Sequence, residues 1–289
     1  MNSPQPINRR SFLKKALLTG AGVLSAGGLL SGYSYGIEPK WMEITQVKLT
    51  FDRLPPAFHG KRLLQFSDIH VGLNFDLMDL SRIVDIITEQ EADLICFTGD
   101  FFDSWISEDP DRTSEVLTRL QAPLGKWAAI GNHDYYAGSK ETVRILKNGG
   151  FTTLINSHTN LTSASSTIQL AGVDDMSRGK PNLTAAVKGA NKDLFTILLS
   201  HSANFADQAI KEAIDLQLSG HSHGGQVRLP FIGPLVTPPN GDKYVMGHYH
   251  VPGSQLQVYT NRGIGTSIHP IRFMCRPEIT VITLQSSAI

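Results

Sequence analysis

The chain has 289 residues, 41% apolar and 18% charged, which is long enough for one large core and too apolar for a disordered polymer. Lysine plus arginine and aspartate plus glutamate each number 26, so no overall field attracts nucleic acid, none is expected as a partner, and an anionic substrate must be captured by local charge. Two cysteines, Cys96 and Cys275, exclude a disulfide framework. Cys96 lies in the apolar run Leu94-Ile95-Cys96-Phe97 and reads as a small buried hydrophobe rather than a partner for Cys275.

Near the N-terminus, Asn8-Arg9-Arg10-Ser11-Phe12-Leu13-Lys14 sets paired arginines before an uncharged, Gly-rich, mildly apolar run from Ala16 to Leu30. This leader resembles a twin-arginine export signal: a cationic start, an apolar run of signal-peptide length, and glycines that keep it less hydrophobic than a true membrane span. An amphipathic surface helix fits poorly, because Ala16 to Leu24 has no polar face. Residues 1–36 are therefore expected to be a twin-arginine signal or, since Ser31 to Tyr35 is a weak cleavage site, a retained membrane anchor. Residues 37–289 are expected to form one domain. The resemblance implies the twin-arginine export machinery as a partner, membrane association through the leader, and a location in the periplasm or at the outer face of the inner membrane.

After the linker at Gly36 to Lys40, the alternation in Ile44 to Phe51 predicts a half-buried strand and Arg62 to Phe66 a second. Asp76 to Gln90 has helical spacing with Asp76 as its cap, and runs into the buried strand Leu94 to Thr98. Asp111 to Leu120 is helical, Trp127 to Ile130 a strand, and Lys140 to Lys147 helical again. That β-motif-α rhythm predicts a largely parallel sheet whose strand ends gather along one edge. Beyond Thr152 the pattern is mixed: strands near Ile168 to Val173, Phe195 to Ser200 and Asp215 to Ser219 surround helical stretches near Asn182 to Val187 and Asn204 to Ala213. The cluster Thr162 to Thr167 reads as a solvated turn, Leu229 to Gly253 as a long loop, and Gln255 to Tyr259 and Ile279 to Leu284 as closing strands.

Five pieces follow apolar strands in order: Asp68-Ile69-His70, Gly99-Asp100-Phe101-Phe102-Asp103, Gly131-Asn132-His133-Asp134, Ser200-His201 and Gly220-His221-Ser222-His223. Singly, each is more often a turn or a satisfied core histidine. Together they supply carboxylate, amide and imidazole ligands at neighbouring strand ends. If the chain is extended there, residues two apart share a face, so Asp68 with His70 and His221 with His223 can converge, with Gly72, Gly220 and Gly224 permitting tight turns.

The order D-x-H, G-D, G-N-H-D, H, G-H-x-H resembles the calcineurin-like metallophosphoesterase superfamily, over roughly Arg62 to Gln226. The resemblance implies an α/β fold with two mixed β-sheets packed as a sandwich and flanked by helices. It implies two divalent metal ions, Mn, Zn or Fe: Asp68, His70 and His223 on the first, Asn132, His201 and His221 on the second, and Asp100 bridging. It also makes His133 the acid that protonates the leaving group and Asp103 the residue that orients it, with a turn or helix cap as the lesser reading of Asp103. Asp134 is expected to support the loop.

Gly220 to Gln226 and Asn261-Arg262-Gly263-Ile264-Gly265 are similar to a bacterial envelope branch of exported phosphodiesterases, some of which cleave the pyrophosphate of UDP-diacylglucosamine. The expected substrate is a phosphodiester or lipid-linked phosphate. The stretch Val71-Gly72-Leu73-Asn74 lacks an arginine for a diphosphate, which leaves Arg262, Arg272 and Arg276 as candidate phosphate contacts. A non-catalytic envelope metal-binding protein is the alternative of a different class.

Overall fold

The computed structural model describes residues 8–72 and 74–289. The first seven residues of the expected leader, and Leu73 in the stretch after His70, lie outside the described residues.

Helix α1 (Arg9–Gly36) opens on Asn8, whose side chain accepts from the Arg10 N–H. It stays helical through the Gly-rich run, has no buried residue, and is long and apolar enough to cross a membrane by length and composition. Its far end touches the domain: the Ser34 carbonyl accepts from the Arg272 N–H at 3.0 Å, and the Tyr33 ring packs edge-on against Phe273. Glu38, buried in the turn that follows, accepts from the N–H groups of Met274 and Cys275.

The strands in chain order are β1 (Glu43–Phe51), β2 (Arg62–Phe66), β3 (Leu94–Thr98), β4 (Lys126–Ala129), β5 (Thr152–Thr153), β6 (Ser157–Ser163) and β7 (Ser166–Gly172). There follow β8 (Thr196–Ser202), β9 (Leu216–Gly220), β10 (Arg228–Leu229), β11 (Gly233–Pro234), β12 (Gly247–His250), β13 (Gln257–Thr260) and β14 (Glu278–Ser286). The helices after α1 are α2 (Leu77–Thr88), α3 (Pro110–Thr118), α4 (Asn132–Ala137), α5 (Ser139–Asn148), α6 (Leu183–Ala186) and α7 (Ala206–Ala209).

One six-stranded sheet has the order β1-β14-β2-β3-β4-β5 and the other β12-β13-β9-β8-β7-β6. Both are mixed: β14 with β2, β12 with β13 and β6 with β7 are antiparallel, and the remaining pairs within these sheets are parallel. The expected sandwich with flanking helices is the observed architecture. The period of two along a strand explains the layers. In β2, Leu64 and Phe66 join the core under α2, α3 and α5, while Leu63 joins the core shared with Ile197, Leu199 and Leu218 of the second sheet. A third core, with Leu198, Val258, Ala206 and Ala209, covers the second sheet's outer face. Asp76 caps α2 in a reciprocal pair with Asp79, as its position ahead of the apolar stripe predicts. Cys96 and Cys275 are both buried and free.

The Ser/Thr cluster holds the expected solvated turn, at Ala164 and Ser165, but as the tip of a hairpin in which Ser163 faces Ser166. β6 is a polar edge strand, which carries little apolar alternation to reveal it. The helical stretch expected over Asn204 to Ala213 shrinks to one 3₁₀ turn and α7, and the long loop after Leu229 contains β12 and the β10–β11 hairpin.

Candidate metal centre

Parallel pairing of β2, β3 and β4, and of β8 and β9, brings the C-terminal ends of both sheets to one rim. Polar side chains tie the two halves of that rim together. Gln65 Nε2 donates to the Ser219 carbonyl at 2.8 Å and to Thr98 Oγ1 at 3.1 Å. His201 Nδ1–H donates to the Thr98 carbonyl at 2.7 Å, and the His221 N–H reaches both Asp68 carboxylate oxygens at 3.0 Å.

The chain does not present these residues in extended form. Asp68, His70, Asp100, His221 and His223 all have positive φ, between 50° and 70°. Such backbone costs of order 1–3 kcal/mol per residue and persists only where its surroundings enforce it. Here each reversal turns a side chain back toward the rim. Gly72 (φ +144°) and Gly224 (φ +61°) do occupy turn positions, but Gly220 is there for space: a Cβ would lie 2.2 Å from Asp68 Oδ2 and 2.0 Å from Ser67 Oγ. Gly131 is equally confined, its notional Cβ 2.1 Å from Asp100 Oδ1.

Ligand atoms of Asp68, His70 and His223 converge within 4.8 Å of one another, as do those of Asp100, His201 and His221. The Nε2 atoms of His70 and His223 are 3.0 Å apart, and His223 Nε2 is 3.4 Å from Asp68 Oδ1. Asp100 connects the groups, its Oδ2 lying 3.1 Å from His201 Nε2 and 3.8 Å from His70 Nε2 while Oδ1 accepts from the His133 N–H. Asn132 sits in the first turn of α4, and its buried Oδ1 has no partner among the described residues.

The chemistry of these donors calls for cations. The Thr98 carbonyl can only accept, so His201 carries a proton on Nδ1 and turns Nε2 to the Asp100 carboxylate. Lone pair against carboxylate at that distance is repulsive unless a proton or a metal ion stands between them. Among the described residues, buried His70 Nδ1, His201 Nε2, His223 Nδ1 and Asn132 Oδ1 all lack a hydrogen-bond partner. Burial opposes charge on His201 and His70, but Asp100 beside His201, and Asp103 and Asp100 beside His70, outweigh it and raise both. His221 and His223 go the other way: burial, helped by the neighbouring His201 and His70 respectively, lowers them and keeps the rings neutral, as ligands must be. Burial would raise Asp100, yet His201 and His70 hold it well below the usual carboxylate range. Two buried aspartates and four imidazoles, drawn together with ring nitrogens that lack partners among the described residues, fit two divalent ions.

His133 Nδ1–H donates to the backbone carbonyl of Asp103 at 2.7 Å, which leaves Nε2 free. The Asp103 carboxylate is 3.6 Å from His133 Nδ1 and 3.3 Å from His70 Nδ1, close to both rings without a hydrogen bond to either. Asp134 points to the backbone: it accepts from the N–H groups of Asp100, Phe101 and Gly131 at 2.8–2.9 Å. Burial and the nearby Asp100 push it up to about 7, against those N–H groups.

The arginines named from the sequence are engaged elsewhere. Arg262 pairs with Glu278 and Glu43, buried Arg272 donates to the carbonyls of residues 262, 263, 265 and 275, and Arg276 lies over the Trp41 ring. Asn261 to Gly265 instead pins Asp68, whose carbonyl accepts from the Gly265 N–H at 2.7 Å. Sequence reasoning missed the Pro239 carbonyl, which takes His221 Nε2–H at 2.9 Å, because a backbone acceptor carries no residue signature. It also missed Tyr136, edge-on to His133, and Arg178 stacked on Tyr136. A cavity of about 200 Å³ opens beside His70, Asp103 and His133, with Asn74, Ser104, Thr266 and Ile268 in its wall.

A family model described as calcineurin-like phosphoesterase matches residues 61–252. The chain is 38% identical to the uncharacterized metallophosphoesterase YkuE of Bacillus subtilis, across 97% of this chain and 99% of that protein. It is 31% identical to the phosphodiesterase YaeI of Escherichia coli, over 96% and 99% of the two chains. Similarity to the UDP-2,3-diacylglucosamine pyrophosphatase LpxG of Chlamydia trachomatis is 26% identity over 90% and 94%.

Proposed function

The chain belongs to the calcineurin-like phosphoesterase family, and from that premise we propose that it hydrolyses phosphodiester or pyrophosphate bonds in the cell envelope with two divalent ions, Mn, Zn or Fe. Asp68, His70 and His223 would hold one ion, Asn132, His201 and His221 the other, and Asp100 both. The observation that carries this reading is the convergence of His201 Nε2 and the Asp100 carboxylate at 3.1 Å inside a set of buried polar atoms without hydrogen-bond partners among the described residues. When bound, the two ions polarise a phosphoryl oxygen and make a nucleophile available from water at neutral pH. His133, fixed through Nδ1 by the Asp103 carbonyl, keeps Nε2 free, so that the doubly protonated ring can deliver its Nε2 proton to the departing oxygen and be left neutral with its proton on Nδ1. A protein that only stores metal has no use for that histidine, which disfavours the non-catalytic alternative.

Charge favours a diester. A monoester dianion gains from a cationic side chain on its extra oxygen, and Arg262, Arg272 and Arg276 are committed elsewhere. A diester carries one negative charge, which the ions alone can balance. Cleavage of UDP-2,3-diacylglucosamine in lipid A synthesis is a narrower reading, favoured by the similarity to the Chlamydia enzyme and opposed by the lack of a cationic side chain at Val71, Gly72 and Asn74. The leader supports a place at the outer face of the inner membrane or in the periplasm, reached through the twin-arginine machinery. The deciding experiment is a metal-reconstituted comparison of matched aryl diesters, aryl monoesters and UDP-linked lipids. We expect kcat/KM to be higher for the diester than for the monoester; the reverse order overturns the substrate class and directs attention to Arg178.

A further inference from the structure

Much of the large apolar surface left exposed outside α1 gathers in one place. Phe231 at the tip of the β10–β11 hairpin is fully exposed, Ile232, Leu235 and Val236 flank it, and Ile268 (82% exposed) and Met274 (55%) belong to loops laced to the same hairpin. The lacing is explicit: the Arg228 N–H donates to the Phe273 carbonyl and the Leu235 N–H to the Val227 carbonyl, while Gln226 and Ser267 exchange two hydrogen bonds. A soluble surface has little reason to hold such side chains out. Yet Phe231, Ile268 and Met274 are held at φ of 67°, 65° and 53°, backbone that is a genuine outlier for a β-branched residue such as Ile268.

The occupant follows from continuity with α1. Phe273 of the same lacework packs on Tyr33, and Arg272 holds the Ser34 carbonyl, so the patch adjoins the last turns of the helix. At 1.5 Å per residue the helix is about 42 Å long, and a bilayer core is about 30 Å thick. With its uncharged run in that core, Tyr33 and Tyr35 fall at the interface, where tyrosine is enriched. Trp41, half exposed beneath the Arg276 guanidinium 3.5 Å from its ring centroid, adds an aromatic and cationic pair suited to headgroups. We propose that the β10–β11 tip, Ile268 and Met274 form a bilayer-docking face that seats the mouth of the metal centre, in whose wall Ile268 stands, against lipid headgroups. The inference rests on reading α1 as a retained anchor for its placement, and it deepens the substrate class to phosphodiesters or pyrophosphates carried by membrane lipids.

The test uses the full chain in vesicles of phosphatidylethanolamine and phosphatidylglycerol, with one nitroxide at a time on Phe231→Cys, Ile268→Cys, Leu24→Cys or Ser165→Cys; the native cysteines are buried. Depth is read from relaxation by oxygen against relaxation by an aqueous nickel chelate. We expect positions 231 and 268 to lie about 5–10 Å below the headgroup boundary, as an interfacial apolar face does, with Leu24 deep and Ser165 in water. Position 24 in lipid with 231 and 268 in water overturns the docking face and leaves the anchor standing. Lipid contact at 231 and 268 with 24 in water keeps the face and removes the anchor. Strong spin–spin coupling at 231 without lipid contact assigns the face to a second copy and overturns the proposal. As a functional readout, Phe231→Asp with Ile232→Asp should raise KM severalfold for a lipid diester in vesicles and leave a soluble aryl diester unchanged; an equal effect on both also overturns it.

Discussion

Two alanine substitutions should separate the two ion sites, because each pushes on a different ligand. In Gly131→Ala the new Cβ would stand 2.1 Å from Asp100 Oδ1 and 2.7 Å from His201 Nε2, whereas in Gly220→Ala it would stand 2.2 Å from Asp68 Oδ2. Non-bonded atoms settle nearer 3.5 Å, so the struck carboxylate or its backbone has to move by more than about 1 Å. Overpacking of this kind costs about 1–3 kcal/mol, a fall in Tm of roughly 2–12 °C for a domain of this size. The chemistry is more sensitive, since a displacement of about 1 Å can cost on the order of 10²-fold in turnover. The expected result is loss of the His201-side ion, with the other weakened through Asp100, in Gly131→Ala, and loss of the Asp68-side ion alone in Gly220→Ala, with turnover on an aryl diester down at least about 10²-fold in both. Gly60→Ala is the control, because Gly60 has φ +78° with nothing within 4 Å and should lose a little stability but no metal. Elemental analysis of protein dialysed against limiting metal, alongside turnover and thermal melts, provides the readout. Two ions and wild-type turnover retained in either site variant would refute the idea that these glycines make room for ligands.

Three further perturbations probe other parts of the molecule. His133→Ala should keep both ions and lose about 10²–10⁴ in kcat on diesters with poor leaving groups, and far less on activated aryl esters; equal losses would remove His133 as the acid. Burial raises Asp215 to about 6 against the Thr196 N–H and Arg53, so the folded chain holds this proton more tightly than the unfolded one. Stability attributable to Asp215 is then full below about pH 4 and falls by about 3 kcal/mol as pH rises through 6; urea melts of Asp215→Asn should lack that decline, and parallel wild-type and variant profiles would refute the assignment. Replacing Arg9 and Arg10 with lysine should strand folded, metal-loaded protein in the cytoplasm, as read by cell fractionation, and unchanged export would point to another route.

What was legible in the sequence follows physical type. Buried strands such as Leu94 to Thr98 and amphipathic helices such as α2 declare themselves by periodicity, because one side of each must be apolar. β6 and β12 do not, since they are edge strands whose side chains are largely open to solvent. The candidate donor residues were legible at the strand ends, but the way they converge was not. Extended chain would have projected Asp68 and His70 on one face; left-handed backbone at both aims them instead, and only glycine advertises that conformation strongly, Asn and Asp far more weakly. The partners that orient the rings, the carbonyls of Thr98, Asp103 and Pro239, are invisible for the same reason.

Backbone strain also connects the metal rim to the exposed apolar face. Of the non-glycine residues with positive φ, Asp68, His70, Asp100, His221 and His223 are at the rim, and Gln226, Phe231, Ile268 and Met274 belong to the hairpin and the loops laced to it. The two sets meet physically: the Cys275 thiol donates to the His223 carbonyl, and the same cysteine's N–H is held by Glu38 just beyond α1. A strained segment is retained only when something outweighs its cost. At the rim that something is the cohesion of polar contacts across two sheets, to which bound cations would add. At the hairpin hydrogen bonds to Phe273, Ser267 and Glu38 hold the backbone, but Phe231 at its tip faces solvent, and a partner that accepts apolar side chains would add to that cohesion. A bilayer at the foot of α1 supplies one without any further protein, and it would put the scissile phosphate of a lipid at the level of the metal centre.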